Sequence, residues 1–138
     1  MSITPIQPRA LTELECGVVT KLLSSGAVGA GEFLSQIPFT RVVATWGDGS
    51  SSVDLAVLPS AVPASGSTDG IFASGAVTDR NGAPVGEVIL WVENGRLSGI
   101  EYACIRMSAH GRCPSLRRSR FCRAVLDSGS TWLPRRAT

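Results

Sequence analysis

The stretch VGEVILWVENGRLSGIEYACI, residues 85–105, decides the fold. Asn94-Gly95 at its centre is the residue pair of a two-residue type I′ turn, which needs positive φ at both positions. A β-branched and aromatic run, Val88-Ile89-Leu90-Trp91-Val92, precedes the turn, and a second extended segment follows from Leu97. The spacing predicts a β-hairpin in which Glu93 faces Arg96.

Counting back from the turn without a break places Ile89 across from Ile100 and Glu87 across from Tyr102. One face then carries Val85, Ile89, Trp91, Ile100, Tyr102 and Cys104. The other carries Val88, Leu90, Val92, Leu97, Gly99 and Glu101. The first strand is apolar on both faces, as expected of a central strand covered on both sides. An isolated hairpin is marginal in water, so the flanking sequence must supply further strands and a helix.

At 138 residues the chain is of single-domain size, with enough material for a core. Its longest apolar run falls short of the roughly 20 residues of a membrane span. The N-terminus lacks the basic-then-apolar order of a secretory leader. Together these predict a soluble cytoplasmic protein. Four cysteines, Cys16, Cys104, Cys113 and Cys122, show no CxxC spacing, and in the cytoplasm free thiols are expected.

The net charge of +2 is the sum of two unlike parts. Residues 1–105 hold five Lys/Arg and ten Asp/Glu, a net of −5. Residues 106–138 hold eight Arg and a single acid, Asp127, a net of +7. The chain therefore reads as one domain over 1–105 followed by a basic Arg-rich tail over 106–138, irregular or disordered in expectation.

Working outward, residues 1–9 contain two prolines and no period, and read as a loose lead-in. Thr12 and Glu15 form a capping box at the start of a helix. Leu11, Leu14, Val18, Val19, Leu22 and Leu23 recur at helical spacing, and Ser24-Ser25-Gly26 ends the helix. A second, short helix fits 29–37, with Phe33, Leu34 and Ile37 buried and Pro38 closing it. Strands fit 41–46, 53–58 and 71–78. The Pro- and Ser-rich segment 59–70 reads as an exposed, mobile connection. Helices followed by strands predict an α+β fold: one or two N-terminal helices packed on a mostly antiparallel meander of about five strands. Trp46 and Trp91 are assigned to the core, and Trp132 is unplaced.

Motifs with chemistry are scarce. The single histidine, His110, lies in the tail, and no G-x-S-x-G accompanies it, which argues against a serine hydrolase. GAVGAG at 26–31 lacks the Lys-Ser/Thr of a P-loop and follows a helix instead of a strand. The turn-rich loop 47–52 could form an anion nest, though a plain hairpin loop accounts for it. The acid pairs Asp48 with Asp54 and Glu87 with Glu101 read as surface carboxylates. Cys104, His110, Cys113 and Cys122 supply four soft ligands that zinc would accept, in a spacing that matches no standard zinc module. The arginines of HGRCPSLRRSRFCR favour phosphate, so weak nucleic-acid binding through the tail is a second possibility. No cofactor is expected.

At TRVVATWGDGSSSVDLAVL and GAPVGEVILWVENGRLSGIEYA the chain resembles a set of small actinobacterial proteins with no established activity. The likeness spans about residues 11–103 and implies an N-terminal helix on a sheet. It brings no catalytic residue or cofactor. By loose analogy with small domains found beside secreted-toxin systems, it suggests an immunity-like role. Such proteins continue with an acidic, Pro-rich end, whereas this chain turns basic after Ala103, as a shifted reading frame would leave it. The leading expectation is a non-enzymatic protein-interaction domain with a protein partner. The alternative is a nucleic-acid-binding or zinc-linked regulator acting through the tail.

Overall fold

The computed structural model describes residues 3–24, 28–47, 50–66, 69–79 and 81–104, together with the backbone of residues 120 and 121. The fold is α+β, with two helices on an antiparallel sheet. In chain order the elements are β1 (Thr4–Ala10), α1 (Glu13–Leu23), α2 (Ala30–Leu34), a 3-10 turn (Ile37–Phe39), β2 (Thr40–Thr45), β3 (Val53–Val57), β4 (Gly70–Thr78), β5 (Pro84–Glu93), β6 (Arg96–Cys104) and the two-residue β7 (Arg120–Phe121). The sheet order is β1-β2-β3-β6-β5-β4-β7, antiparallel throughout.

The expected meander is therefore corrected. The β5–β6 hairpin does not follow β4 outward. It inserts between β3 and β4, and the connection after β3 crosses the hairpin tip to reach the far side. A strand as apolar as β5 gains most from two paired neighbours and a covered face, and this order gives it both. The segment read as a loose lead-in contributes β1, paired to β2 through Pro5 opposite Ala44 and Ala10 opposite Arg41. A Pro-containing strand with no apolar alternation suits an edge position, which is why its pattern carried no signal.

Helix α1 starts as its sequence dictates. The Thr12 hydroxyl accepts from Glu15 N–H at 3.1 Å, and the Glu15 carboxylate accepts from Thr12 N–H at 2.9 Å. Val18, Val19, Leu22 and Leu23 are buried from α1, and Ala30 and Phe33 from α2. They join Val42, Val53, Leu55, Val88, Leu90, Val92, Leu97 and Ile100 in one core on a single face of the sheet. Phe33 meets Phe72 edge-on, with ring centroids 4.9 Å apart.

The turn is as expected: Asn94 has φ 54 and Gly95 φ 74, and Glu93 faces Arg96. Beyond it the register departs from a straight count. A bulge leaves Ser98 unpaired, so Trp91 faces Gly99, Leu90 faces Ile100 and Ile89 faces Glu101. One extra residue exchanges faces for everything beyond it. Ile100 and Tyr102 thereby join Val88 and Leu90 on the helix side, and Trp91 and Ile89 take the other.

The segment 59–70 was expected to be exposed and mobile, and it is anchored. Ala61 and Ala64 are buried, and Ala64 N–H donates to Gly95 O at 2.7 Å. The Ser65 N–H and hydroxyl both donate to the Glu32 carboxylate. Gln36, fully buried, donates to the carbonyls of Val62 and Gly95 and accepts from Leu97 N–H. A buried amide with three partners locks helix side, connection and hairpin together.

Candidate functional site

The two faces of the sheet differ in kind. On the helix side, one cross-strand row reads Thr4, Thr45, Val53, Ile100, Leu90 and Ala73. On the opposite side the next row reads Pro5, Ala44, Asp54, Gly99, Trp91 and Ile71. Residues paired across antiparallel strands share a face, so this second row crosses six strands on one surface. Both helices bury their apolar residues in the core of the first face. On the second face Trp91, Ile89 and Glu101 are half-buried and Ile71 is 43% exposed.

Two tryptophans flank Gly99 on this second face, which is open in that neither helix covers it. Trp46 follows β2 directly and continues its pairing, donating its backbone N–H to Ser52 O at 3.0 Å. Its indole Nε1–H donates to Asp54 Oδ1 at 2.7 Å, which draws the ring across β3. The Trp91 indole Nε1–H donates to Glu101 Oε1 at 3.0 Å, which lays its ring along β5 and β6. Between them sits Gly99. A Cβ there would lie 3.8 Å from Trp46 Cζ2, 3.8 Å from Trp91 Cβ and only 3.3 Å from Val53 O. Glycine at 99 thus lets the ring of Trp46 lie close over the sheet. Each indole is held by a charge-assisted hydrogen bond, so the rings are fixed in orientation while part of their surface stays in water.

Charge on this face is acidic. Asp54, Glu87, Glu93 and Glu101 point to it, against Arg41 and Arg96. Arg96 stands opposite Glu93, and the Arg41 guanidinium donates to the carbonyls of Pro38 and Thr40. Among the described residues, the carboxylates of Asp54 and Glu101 are the charges bonded to the indoles.

Sequence reasoning assigned both tryptophans to the core, and the structure overturns that. The cause is the Ser98 bulge, which takes Ile100 and Tyr102 to the helix side and leaves Trp91 with Gly99 and Glu101 on the other face, and a second bulge at Val43 in β2, past which Ala44 pairs with Asp54. The acidic residues at 54 and 101, read as plain surface carboxylates, are the indole anchors. A tryptophan eight residues from an aspartate across a Gly-Ser loop was the available signal for the first pair.

The remaining candidates are placed as follows. Cys104 ends β6 and is half-buried and disulfide-bonded, which corrects the expectation of free thiols at this position. Its partner lies outside the described residues. Spacing alone could not show this, because a disulfide depends on Cα atoms brought within about 7 Å by the fold. A disulfide sulfur is not a thiolate, so in this state Cys104 is no zinc ligand. His110, Cys113 and Cys122 lie outside the described residues, as do Asp48, Trp132 and the arginine-rich segment apart from the backbone of Arg120. Cys16 is a free, half-buried thiol on α1. Among the described residues no group of three or more His, Cys, Asp or Glu is placed to hold a metal ion. In the loop 47–52, Ser50 N–H donates to Gly47 O and Ser52 N–H to the Ser50 hydroxyl, so these donors are used internally. Among the described residues no helix is long and apolar enough to cross a membrane.

Comparison with protein-family profiles, with curated proteins and with solved structures finds no match.

Proposed function

We propose that this chain is a non-enzymatic protein-interaction domain whose contact surface is the open face of the sheet. One observation carries the reading: Trp46 and Trp91 flank Gly99, each indole held by a carboxylate, on a face that carries neither helix. Tryptophans fixed in place and partly exposed lose little freedom on binding, and buried tryptophans dominate the energetics of many interfaces. The rim is polar, with Glu87 and Glu101 beside the indoles, as interfaces commonly are. An immunity-like role, in which the domain covers a toxin partner, is the form of this reading that the sequence resemblance supports.

Site-directed photo-crosslinking in cells tests it. A photoreactive residue at Ile71 on the open face should capture a discrete protein, and Trp91→Ala should abolish the capture. The same residue at Thr20, exposed on α1, should capture nothing discrete. Equal crosslinking from both positions, or capture that survives Trp91→Ala, removes the open face as the contact surface.

The second reading is nucleic-acid binding or zinc-linked regulation through residues 106–138. Eight arginines against one acid in that segment favour it. Deleting residues 106–138 separates the two, because binding through the open face survives the deletion and binding through the basic segment does not. A cytoplasmic location belongs to the leading reading, and the Cys104 disulfide weighs against it, since disulfides persist in oxidising compartments. Thiol counting on protein taken directly from cells decides the point.

A further inference from the structure

We infer that the open face binds an arginine-bearing segment of a partner protein, with guanidinium groups stacked on Trp46 and Trp91 between the carboxylates of Asp54 and Glu101. The inference rests on the interface reading above and names the chemistry of the partner.

The geometry supplies three features that together suit a guanidinium. First, an indole is the aromatic surface that attracts a cation most strongly, and the face of its ring carries the negative end of the quadrupole. The ring of Trp46 and the Cβ of Trp91 flank one glycine-floored position, each 3.8 Å from where a Cβ of Gly99 would stand. Second, the carboxylates are placed at the edges of the rings and not beneath them. Asp54 Oδ1 and Glu101 Oε1 hold the indole N–H groups, which leaves the second oxygen of each carboxylate to receive a planar donor. Asp54 lies directly across from Gly99 and Glu101 two residues further along β6. Diagonal neighbours of this kind are about 7 Å apart, a separation a forked guanidinium and its stem can cover. Third, the described charges placed directly beside the indoles are the carboxylates of Asp54 and Glu101, while the Arg41 guanidinium is turned to the carbonyls of Pro38 and Thr40.

Arginine is favoured over lysine on the same grounds. Its flat, delocalised cation stacks on an indole and can still donate in plane to a carboxylate. A compact ammonium does one or the other. A purely apolar partner would bury the free carboxylate oxygens without giving them donors, which is costly.

The test uses the full-length chain and a capped hexa-arginine peptide, with hexa-lysine as the comparison, following the assigned indole Nε1–H signals of Trp46 and Trp91 by ¹H–¹⁵N NMR. Hexa-arginine should shift both signals saturably and bind roughly fivefold or more tighter than hexa-lysine, as a stacked guanidinium requires. The double variant Asp54→Asn, Glu101→Gln keeps an acceptor oxygen for each indole while removing both charges. It should keep the free-state indole positions and weaken binding by about tenfold. Unmoved indole signals overturn the inference, as does equal response to the two peptides, which would mean unspecific charge attraction. A response that appears only after Arg117, Arg118 and Arg120 are all replaced by Ser identifies the occupant as this chain's own segment and also overturns it. If hexa-arginine fails while Trp91-dependent crosslinking from position 71 succeeds, the open face remains the interface and only the partner chemistry proposed here falls.

Discussion

The side-chain carbonyl of Gln36 accepts the backbone N–H of Leu97 at 3.1 Å, joining residues 61 apart in the chain. The same amide donates to Gly95 O at 2.8 Å and Val62 O at 3.1 Å. One side chain thereby fixes the start of β6, the tip of the central hairpin and the connection that crosses it. Replacing Gln36 by Ala leaves Leu97 N–H buried without its acceptor and opens a void, and should lower stability by about 2–3 kcal/mol. Gln36→Leu fills the void and should still cost about 1–3 kcal/mol. Urea denaturation of both variants measures the difference. A loss below about 0.5 kcal/mol in both would show that the hydrogen bonds are replaced by water.

Gly95 is required twice over. Its φ of 74 is unfavourable for an L side chain, and a Cβ there would stand 2.5 Å from Ala64 O. Gly95→Ala should cost about 1–3 kcal/mol from backbone strain, and more if the crossing segment is displaced. Thermal unfolding gives the size of the loss. Amide exchange at Ala64, whose N–H donates to Gly95 O, should rise in step with it.

The indole anchors separate charge from hydrogen bonding. Asp54→Asn and Glu101→Gln keep an oxygen for the indole and should change stability by less than about 0.5 kcal/mol. Asp54→Ala and Glu101→Ala remove the acceptor and should each cost about 1 kcal/mol. The emission spectra of Trp46 and Trp91, measured with the other tryptophans replaced by Phe, should shift in the Ala variants alone.

Acid should weaken the junction of β1 with α1. Burial by itself would raise the Glu15 carboxyl, but hydrogen bonds from Arg9 and Thr12 outweigh it and hold the group below its ordinary value of 4.5. The hydrogen bond to Glu15 likewise raises Arg9. A depressed carboxyl contributes stability that is complete above the unfolded value. That contribution disappears as pH falls through the lower folded value. The loss should therefore set in below about pH 4.5. Its size should stay below about 1 kcal/mol, since the Arg9 side chain is 39% exposed. Glu15→Gln should flatten the pH dependence of stability in that range. An unchanged slope would show the pair to be energetically silent.

Much of the architecture was legible because its signals are local. The Asn94-Gly95 turn, the Thr12–Glu15 capping box and the apolar spacing of Val18, Val19, Leu22 and Leu23 each specify their element through nearest neighbours. What escaped was non-local. A bulge at Ser98 has no composition signature, yet it decides whether Gly99 and Glu101 or Ile100 and Tyr102 share a face with Trp91. The burial of Gln36 depends on carbonyls delivered from 26 and 59 residues away. The edge strand β1 is built from Pro5, Gln7 and Pro8, none of which favours a strand, and it forms because β2 offers a free edge. The candidate site was invisible for the same reason. Its residues come from β2, β3, β5 and β6, and only the sheet order brings Trp46, Asp54, Gly99, Trp91 and Glu101 together.

The central claim is that the two indoles share the open face above Gly99, and a NOESY spectrum tests it most directly. The structure requires contacts from the Gly99 Hα protons to ring protons of Trp46 and to the Hβ protons of Trp91, with Leu90 rather than Ile89 paired to Ile100. If Gly99 instead contacts Val18 or Leu22 of α1, the register is the unbroken one, and Gly99 and Trp91 lie on opposite faces of the sheet. The open face would then hold no site.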